Sequence, residues 1–263
     1  MALLISTNMY RAEDIKRVLP YLDLFEDQVG VEVFPMFHQE EYGKALDQCL
    51  PRLSRVPISF HGPYYGAEHT AAPGTPEYDR TMAMVGQTLE YGRGLSSRYM
   101  VFHHNNRPVK DADKEGMMEV SCANYRRVRD MSADWGIPVV VENAGVRDRG
   151  NMMLDEEEFV SLCRKEEYPV LIDIGHAHAN GWDLYRVTEA LKDQIRAFHI
   201  HNNDGVHDSH LRIGKGTLDV ERFLTYSRHA APGADWVLEY SLEEADDTEG
   251  IAEDVDRLLK RYA

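Results

Sequence analysis

The stretch Val170-Leu-Ile-Asp-Ile-Gly-His-Ala-His-Ala-Asn-Gly181 carries Asp173, His176 and His178 directly after a short apolar run. A carboxylate and imidazoles grouped in this way form a donor set for a divalent cation, because hard oxygen and borderline nitrogen donors together suit Zn, Mn, Fe or Co. The run 170–172, bounded by Pro169 and Gly175, has the length and apolarity of a buried strand. The chemistry therefore sits where a strand meets its loop. The same arrangement recurs along the chain. His61 follows the apolar run 56–60, His103 follows 99–102, Glu142 follows 137–141, His201 follows 195–200 and Glu239 follows 236–238. Asp208-Ser-His210 lies in the loop after His201. Any one of these residues alone is equally well explained as a solvated strand end. Their recurrence at the same relative place points to a metal centre.

Elements of two kinds must position these residues. The apolar runs 2–6, 31–34, 56–60, 99–102, 137–141, 170–172, 195–200 and 236–238 read as strands. Helical patterns at 11–25, 40–50, 77–91, 111–135, 155–167, 183–192, 219–228 and 249–262 follow them in turn. Ile15, Val18, Leu19 and Leu22 set the apolar face of the first helix, and Pro51 is expected to stop the second. The segment 65–76, rich in Gly, Pro, Ala and Thr, is long enough to be a lid or binding loop. Unbroken alternation with short connections implies a parallel sheet with crossover helices. Eight strand–helix units predict a single (β/α)8 TIM barrel over residues 1–263, not an open doubly wound sheet. No Gly-rich nucleotide fingerprint follows the first strand. In such a barrel the C-terminal ends of all strands share one face. That places His61, His103, Glu142, Asp173, His176, His201, Asp208, His210 and Glu239 on one rim. Carboxylates so clustered repel one another unless protons or cations intervene, and divalent cations meet that need.

The chain has 263 residues, 43% hydrophobic and 28% charged, as expected of a globular enzyme. Its net charge of −16 argues against affinity built on a basic surface, so nucleic acid and membranes are disfavoured partners and a small molecule is expected. No apolar window approaches transmembrane length. Cys49, Cys122 and Cys163 are far apart with no CxxC spacing, which argues against thiolate zinc and a disulfide framework and fits a reducing cytoplasm. The opening Met1-Ala-Leu-Leu-Ile-Ser lacks a basic n-region and reads as a strand, not a signal peptide.

The motifs His61-Gly-Pro-Tyr64, Phe102-His103, Val141-Glu142-Asn143, Asp173-Ile-Gly-His176-Ala-His-Ala-Asn-Gly-Trp-Asp183, His201-Asn-Asn-Asp204, Asp208-Ser-His210-Leu-Arg-Ile-Gly214-Lys-Gly216 and Glu239 span nearly the whole chain. With them the sequence resembles the xylose isomerase-like TIM barrels, which include the AP endonuclease family 2 fold. The stretch after strand six and the Asp-x-His…Gly-x-Gly stretch are similar to endonuclease IV. Two chemistries follow from the resemblance. The isomerase and epimerase branch implies one metal on Glu142, Asp173, His201 and Glu239, with Glu142 and Glu239 doubling as acid and base beside a carbonyl. The endonuclease IV branch implies three zinc ions. His61, His103 and Glu142 would hold one; Glu142, Asp173, His201 and Glu239 the second; His176, Asp208 and His210 the third. The resemblance thus implies one to three divalent ions per chain, zinc foremost, with Mn, Fe or Co also compatible.

This chain departs from both branches. A ketose 3-epimerase is expected to carry an arginine shortly after the seventh-strand histidine, where His207 stands, and a glutamate a little after Glu142, where Asp148 stands. The long DNA-penetrating loops expected of the repair branch after strands two and three are lacking. The complete nine-residue set favours phosphoester hydrolysis on a small sugar-phosphate or nucleotide-like substrate; the alternative is a sugar or sugar-phosphate isomerase or epimerase, and a barrel that only binds ranks last. Tyr64, Asn143 and Trp182 are candidate substrate contacts, and Arg212 and Lys215 could meet phosphate oxygens. Surface charge is the competing explanation for those two. His178 and His104 read as partners of ligands, and His38 and Asn8 as residues that could reach the pocket. His199 shares a strand face with His201 and is expected one layer deeper, as a hydrogen-bonded core histidine.

Overall fold

Each apolar run predicted as a strand pairs in parallel with its neighbours in chain order. In the computed structural model, which describes residues 1–262 with side chains through residue 260, these are β1 (Leu3–Ser6), β2 (Gly30–Val33), β3 (Ile58–Phe60), β4 (Met100–Phe102), β5 (Val139–Glu142), β6 (Val170–Asp173), β7 (Ile195–Ile200) and β8 (Asp235–Leu238). Residue 263, the end of the predicted domain, lies outside the described residues. β8 pairs with β1, with Leu3 opposite Trp236 and Ile5 opposite Leu238, so the sheet closes into a barrel. The helices are α1 (Leu19–Leu24), α2 (Glu40–Leu53), α3 (Pro76–Gly94), α4 (Asp111–Ala133), α5 (Glu156–Glu166), α6 (Ile174–Ala179), α7 (Leu184–Leu191), α8 (Val220–Ala230) and α9 (Thr248–Tyr262). No described helix is long and apolar enough to cross a membrane.

The strands bury both faces, which is why they read as continuous apolar runs. Outward side chains such as Ile5, Phe60, Phe102, Val141 and Phe198 join the helices in one large core. Inward ones, Leu4, Val101, Val140, Leu171, Ala197 and Val237 among them, form a separate plug inside the barrel. Side chains on a strand alternate faces, so the residue two places further on points inward as well. From Val101, Val140, Leu171, Ala197 and Val237 that step leads to His103, Glu142, Asp173, His199 and Glu239. The polar layer is the apolar plug continued by one pleat.

Three local departures have physical causes. The expected helix 11–25 is a 3-10 segment, Ala12–Val18, that turns into α1 only at Leu19. Pro20 has no N–H for Lys16 in an α-ladder, and the Leu19 N–H bonds the Lys16 carbonyl in the tighter pattern instead. α2 runs through Pro51 to Leu53, because a proline in the last turn forfeits only one backbone bond. After β6 there is a short helix in place of a loop. Asp173 caps α6 by accepting a 2.6 Å hydrogen bond from the His176 N–H, so His176 and His178 are helical residues.

Candidate metal centre

The inward layer at the strand ends builds the site. Glu142 is buried at the end of β5. Its Oε2 lies 2.9 Å from His103 Nε2 and 3.7 Å from His61 Nε2, and its Oε1 lies 3.2 Å from His176 Nδ1. Asp173, fully buried, turns Oδ2 to His201 Nε2 at 3.0 Å. Asp208 Oδ1 faces His210 Nε2 at 3.1 Å and His176 Nε2 at 3.4 Å. Candidate donor atoms gather within 4.8 Å of one another in His61–His103–Glu142, in His176–His201–Asp208–His210, in Asp173–His201–Glu239 and in Glu142–Asp173–His199. The nine residues expected on one rim thus converge.

His199 is the fully buried, hydrogen-bonded histidine that the strand pattern predicts, and it also stands beside the candidate ligands, which that reading did not foresee. Its Nδ1 stands 3.2 Å from Glu239 Oε2, 3.5 Å from Glu142 Oε2 and 3.7 Å from Asp173 Oδ2. Its Nε2 bonds Glu32 Oε1 at 2.9 Å, and Ser59 Oγ donates to Glu32 Oε2 at 3.1 Å. Glu32 on β2 therefore fixes which ring nitrogen meets the three carboxylates. His201 serves both sides: it bonds Asp173, and its ring stacks on His210 with centroids 3.7 Å apart. The signal in the sequence was the period of two, which carries the layer of Glu142 and Asp173 to His199.

A cation fits this arrangement. Glu142 Oε1, His176 Nδ1, His199 Nδ1, His201 Nδ1 and Asp208 Oδ1 are buried polar atoms with no hydrogen-bond partner among the described residues. Buried polar atoms are nearly always paired, and most of these five lie where the candidate donor atoms meet. The protonation pattern is equally strained. Burial pulls the His176 imidazole down, but Asp173 and Asp208 overturn it and hold the group well above its usual range. His210 is pushed up to about 9 against burial, by Asp208. Burial and the nearby Glu142 and Asp173 charges raise Glu239 to about 7, against the pull of His199 and His210. Glu142 is held well below the carboxylate range by His103 and His199 despite burial. Such a cluster of mutually dependent charges is what divalent ions replace.

The remaining predicted contacts divide. Tyr64 lines a cavity of about 570 Å³ over the cluster, with His61, His103, His176, Asp208 and His210 in its wall. Asn143 is turned away from the cavity; its Nδ2 donates to the Asp173 carbonyl at 3.0 Å and its Oδ1 accepts from the Asp173 N–H at 2.7 Å, so it positions a candidate ligand. Trp182 packs on Phe159, ring centroids 5.7 Å apart, and does not line the cavity. Arg212 and Lys215 are also corrected. Arg212 Nε donates to Asp254 Oδ2 at 2.8 Å and Lys215 Nζ to Glu244 Oε2 at 2.6 Å, which consumes both cations outside the cavity. His178 bonds Thr217 and His104 bonds Ser121, neither in contact with the cluster carboxylates. Asn8 reaches the cavity wall; His38 lies in an adjoining basin. Arg149, which drew no attention in the sequence, is in the wall, 3.0 Å from Asp208 Oδ2.

Comparison with known proteins agrees with the barrel. A curated protein of Methanocaldococcus jannaschii, uncharacterised, is 25% identical over 145 residues, which is 54% of this chain and 55% of the relative, so the match spans about half of each. A D-tagatose 3-epimerase-like protein superposes with TM-score 0.77 at 18% identity over 100% of both chains. The IolI protein with a bound zinc atom gives 0.76 at 16% identity, over 100% of this chain and 99% of the other. An AP endonuclease of family 2 from Brucella melitensis gives 0.70 at 19%, over 93% and 96%. At these identities the likeness is one of fold. The family model of xylose isomerase-like TIM barrels matches residues 24–261, and the chain belongs to that family.

Proposed function

We propose that the protein hydrolyses a small phosphorylated substrate, a sugar phosphate or a nucleotide-like ester, with two or three divalent cations on the rim residues. The observation that carries this reading is the second ligand group, His176, His201, Asp208 and His210, beside the Glu142 group. Proton transfer on one cation would leave Asp208 and His210 only to orient substrate hydroxyls. His61, His103 and Glu142 would hold one ion; Glu142, Asp173 and Glu239 with His199 or His201 a second; His176, Asp208 and His210 a third. Zinc suits the imidazole-rich set best, and Mn, Fe or Co fit as well. When bound, adjacent cations supply Lewis acidity toward a phosphoryl oxygen and a water acidic enough to attack at neutral pH.

The chain's own residues supply placement. Glu142 turns its two oxygens to different imidazoles, Oε2 to His103 and Oε1 to His176, and so could serve both ligand groups. Glu32 holds the His199 ring and Asn143 holds Asp173, so neither donor must reorganise. Tyr64 closes one side of the cavity. Protein purified without chelator is expected to carry two to three ions per chain by elemental mass spectrometry and to turn over phosphomonoesters or phosphodiesters. His210→Ala should lower that turnover by about 10²–10³-fold. Unchanged turnover in His210→Ala would sink the multinuclear mechanism.

A second reading, a one-metal sugar isomerase or epimerase, draws on the approach of Glu142 and Glu239 to the same His199 nitrogen. Two carboxylates meeting at one point can act as acid and base on a bound ketose. Its mark is deuterium incorporation beside the carbonyl when ketoses are incubated in deuterium oxide, with one ion per chain.

A further inference from the structure

Among the described residues Arg149 is the one lysine or arginine in the wall of the central cavity. Its loop is built, not loose. Arg149 ends the 3-10 turn Arg147–Arg149, and Gly150 follows in the left-handed region at φ 66°. Asn180 clamps the entry to the turn through two bonds: its Oδ1 accepts from the Arg147 N–H at 2.8 Å and its Nδ2 donates to the Gly145 carbonyl at 2.9 Å. Asn151 Oδ1 accepts from the Val146 N–H at 2.9 Å, and the Val109 N–H bonds the Gly150 carbonyl at 2.8 Å. The guanidinium so placed contacts Asp208 twice, Nη1 to Oδ2 at 3.0 Å and Nη2 to the backbone carbonyl at 2.8 Å.

Asp208 is thereby shared. One oxygen faces Arg149, and the other faces His176 and His210. A guanidinium has five N–H donors in a planar fork, and Asp208 takes up two. The side chain is 53% exposed, so the remaining donors are open to a ligand. A surface arginine in a lone ion pair would need no explanation. Arg149 differs because its partner is itself a candidate metal ligand, which puts positive charge beside any anion resting on that group.

We propose that Arg149 binds the phosphoryl group of the substrate against the His176–Asp208–His210 group, and that it selects a phosphate dianion over a neutral sugar. This rests on the hydrolytic reading and names the residue that recognises its substrate. The test measures inorganic phosphate binding by calorimetry to zinc-loaded wild type, Arg149→Lys and Arg149→Gln, with the metal content of each. Arg149→Gln should weaken phosphate by about 10-fold or more with metal content unchanged, and Arg149→Lys should fall between, keeping the charge but losing the fork. An unchanged phosphate affinity in Arg149→Gln overturns the proposal. So does loss of metal from that variant, which would make Arg149 a positioning residue for Asp208. The two readings fail separately: Arg149-dependent phosphate binding without phosphoester turnover sinks hydrolysis alone, and turnover with Arg149-independent phosphate binding sinks this inference alone.

Discussion

His176, His199 and His210 lie in a contest between burial, which strips their protons, and the carboxylates they face, which restore them. The carboxylates prevail and raise all three imidazoles above the ordinary histidine value, which favours their protonated form in the metal-free protein. Metal ions bind only deprotonated imidazole, and binding must release the protons. Zinc affinity should therefore rise with pH across neutrality and through about 9, where His210 loses its proton. Calorimetry in buffers of different ionisation heat would count the protons released; a pH-independent affinity would contradict the arrangement. The sign for folding is opposite. These raised groups stabilise the metal-free fold fully below about 6.5, the unfolded histidine value, and that contribution is lost as pH rises through their folded values. At this scale the sequence was readable where residue type alone decides, as in the nine rim residues. It was not readable where a partner decides. Nothing near Arg212 or Lys215 announces Asp254 or Glu244, and nothing near Arg149 announces Asp208.

At the scale of elements, strands were legible because burial on both faces leaves each as an apolar run between Gly, Pro and polar residues. Short helices were not. α6 exists because Asp173 doubles as strand end and cap, and six residues are too few to show a helical period. This helix has a tight constraint. A methyl group on Gly175 would be driven into the ring of His201. Gly175→Ala should cost about 1–3 kcal/mol of stability and weaken zinc retention, since the ring cannot move without leaving Asp173. Gly86 on α3 provides the contrast. An added methyl there meets nothing within 4 Å, so Gly86→Ala should stabilise by about 0.5–1 kcal/mol with metal content unchanged. Thermal melts paired with elemental analysis separate the two, and equal effects would refute the packing argument.

For the whole molecule, the order of strands and the closed ring follow from eight alternating units with no residue run left over. The finer grouping of ligands did not follow from the alternation, because which imidazole meets which carboxylate depends on strand stagger, but was implied by the family resemblance. The site also couples to global stability. A ligand that binds only the folded chain adds about 4 kcal/mol at a thousand times its dissociation constant. At roughly 2–4 °C per kcal/mol for a chain of this size, zinc should raise the melting temperature by about 8–16 °C over chelated protein. A shift under about 2 °C would mean that the cluster does not take zinc tightly.

The pairing of β8 with β1 has one more consequence. The candidate donors run from His61 to Glu239, so the last of them leaves the ribosome long after the first. Until then His61, His103 and Glu142 exist without the strand that closes the ring around them. The full set of candidate donors is therefore assembled only after β8 has been made, and products of translation truncated before β8 would lack Glu239.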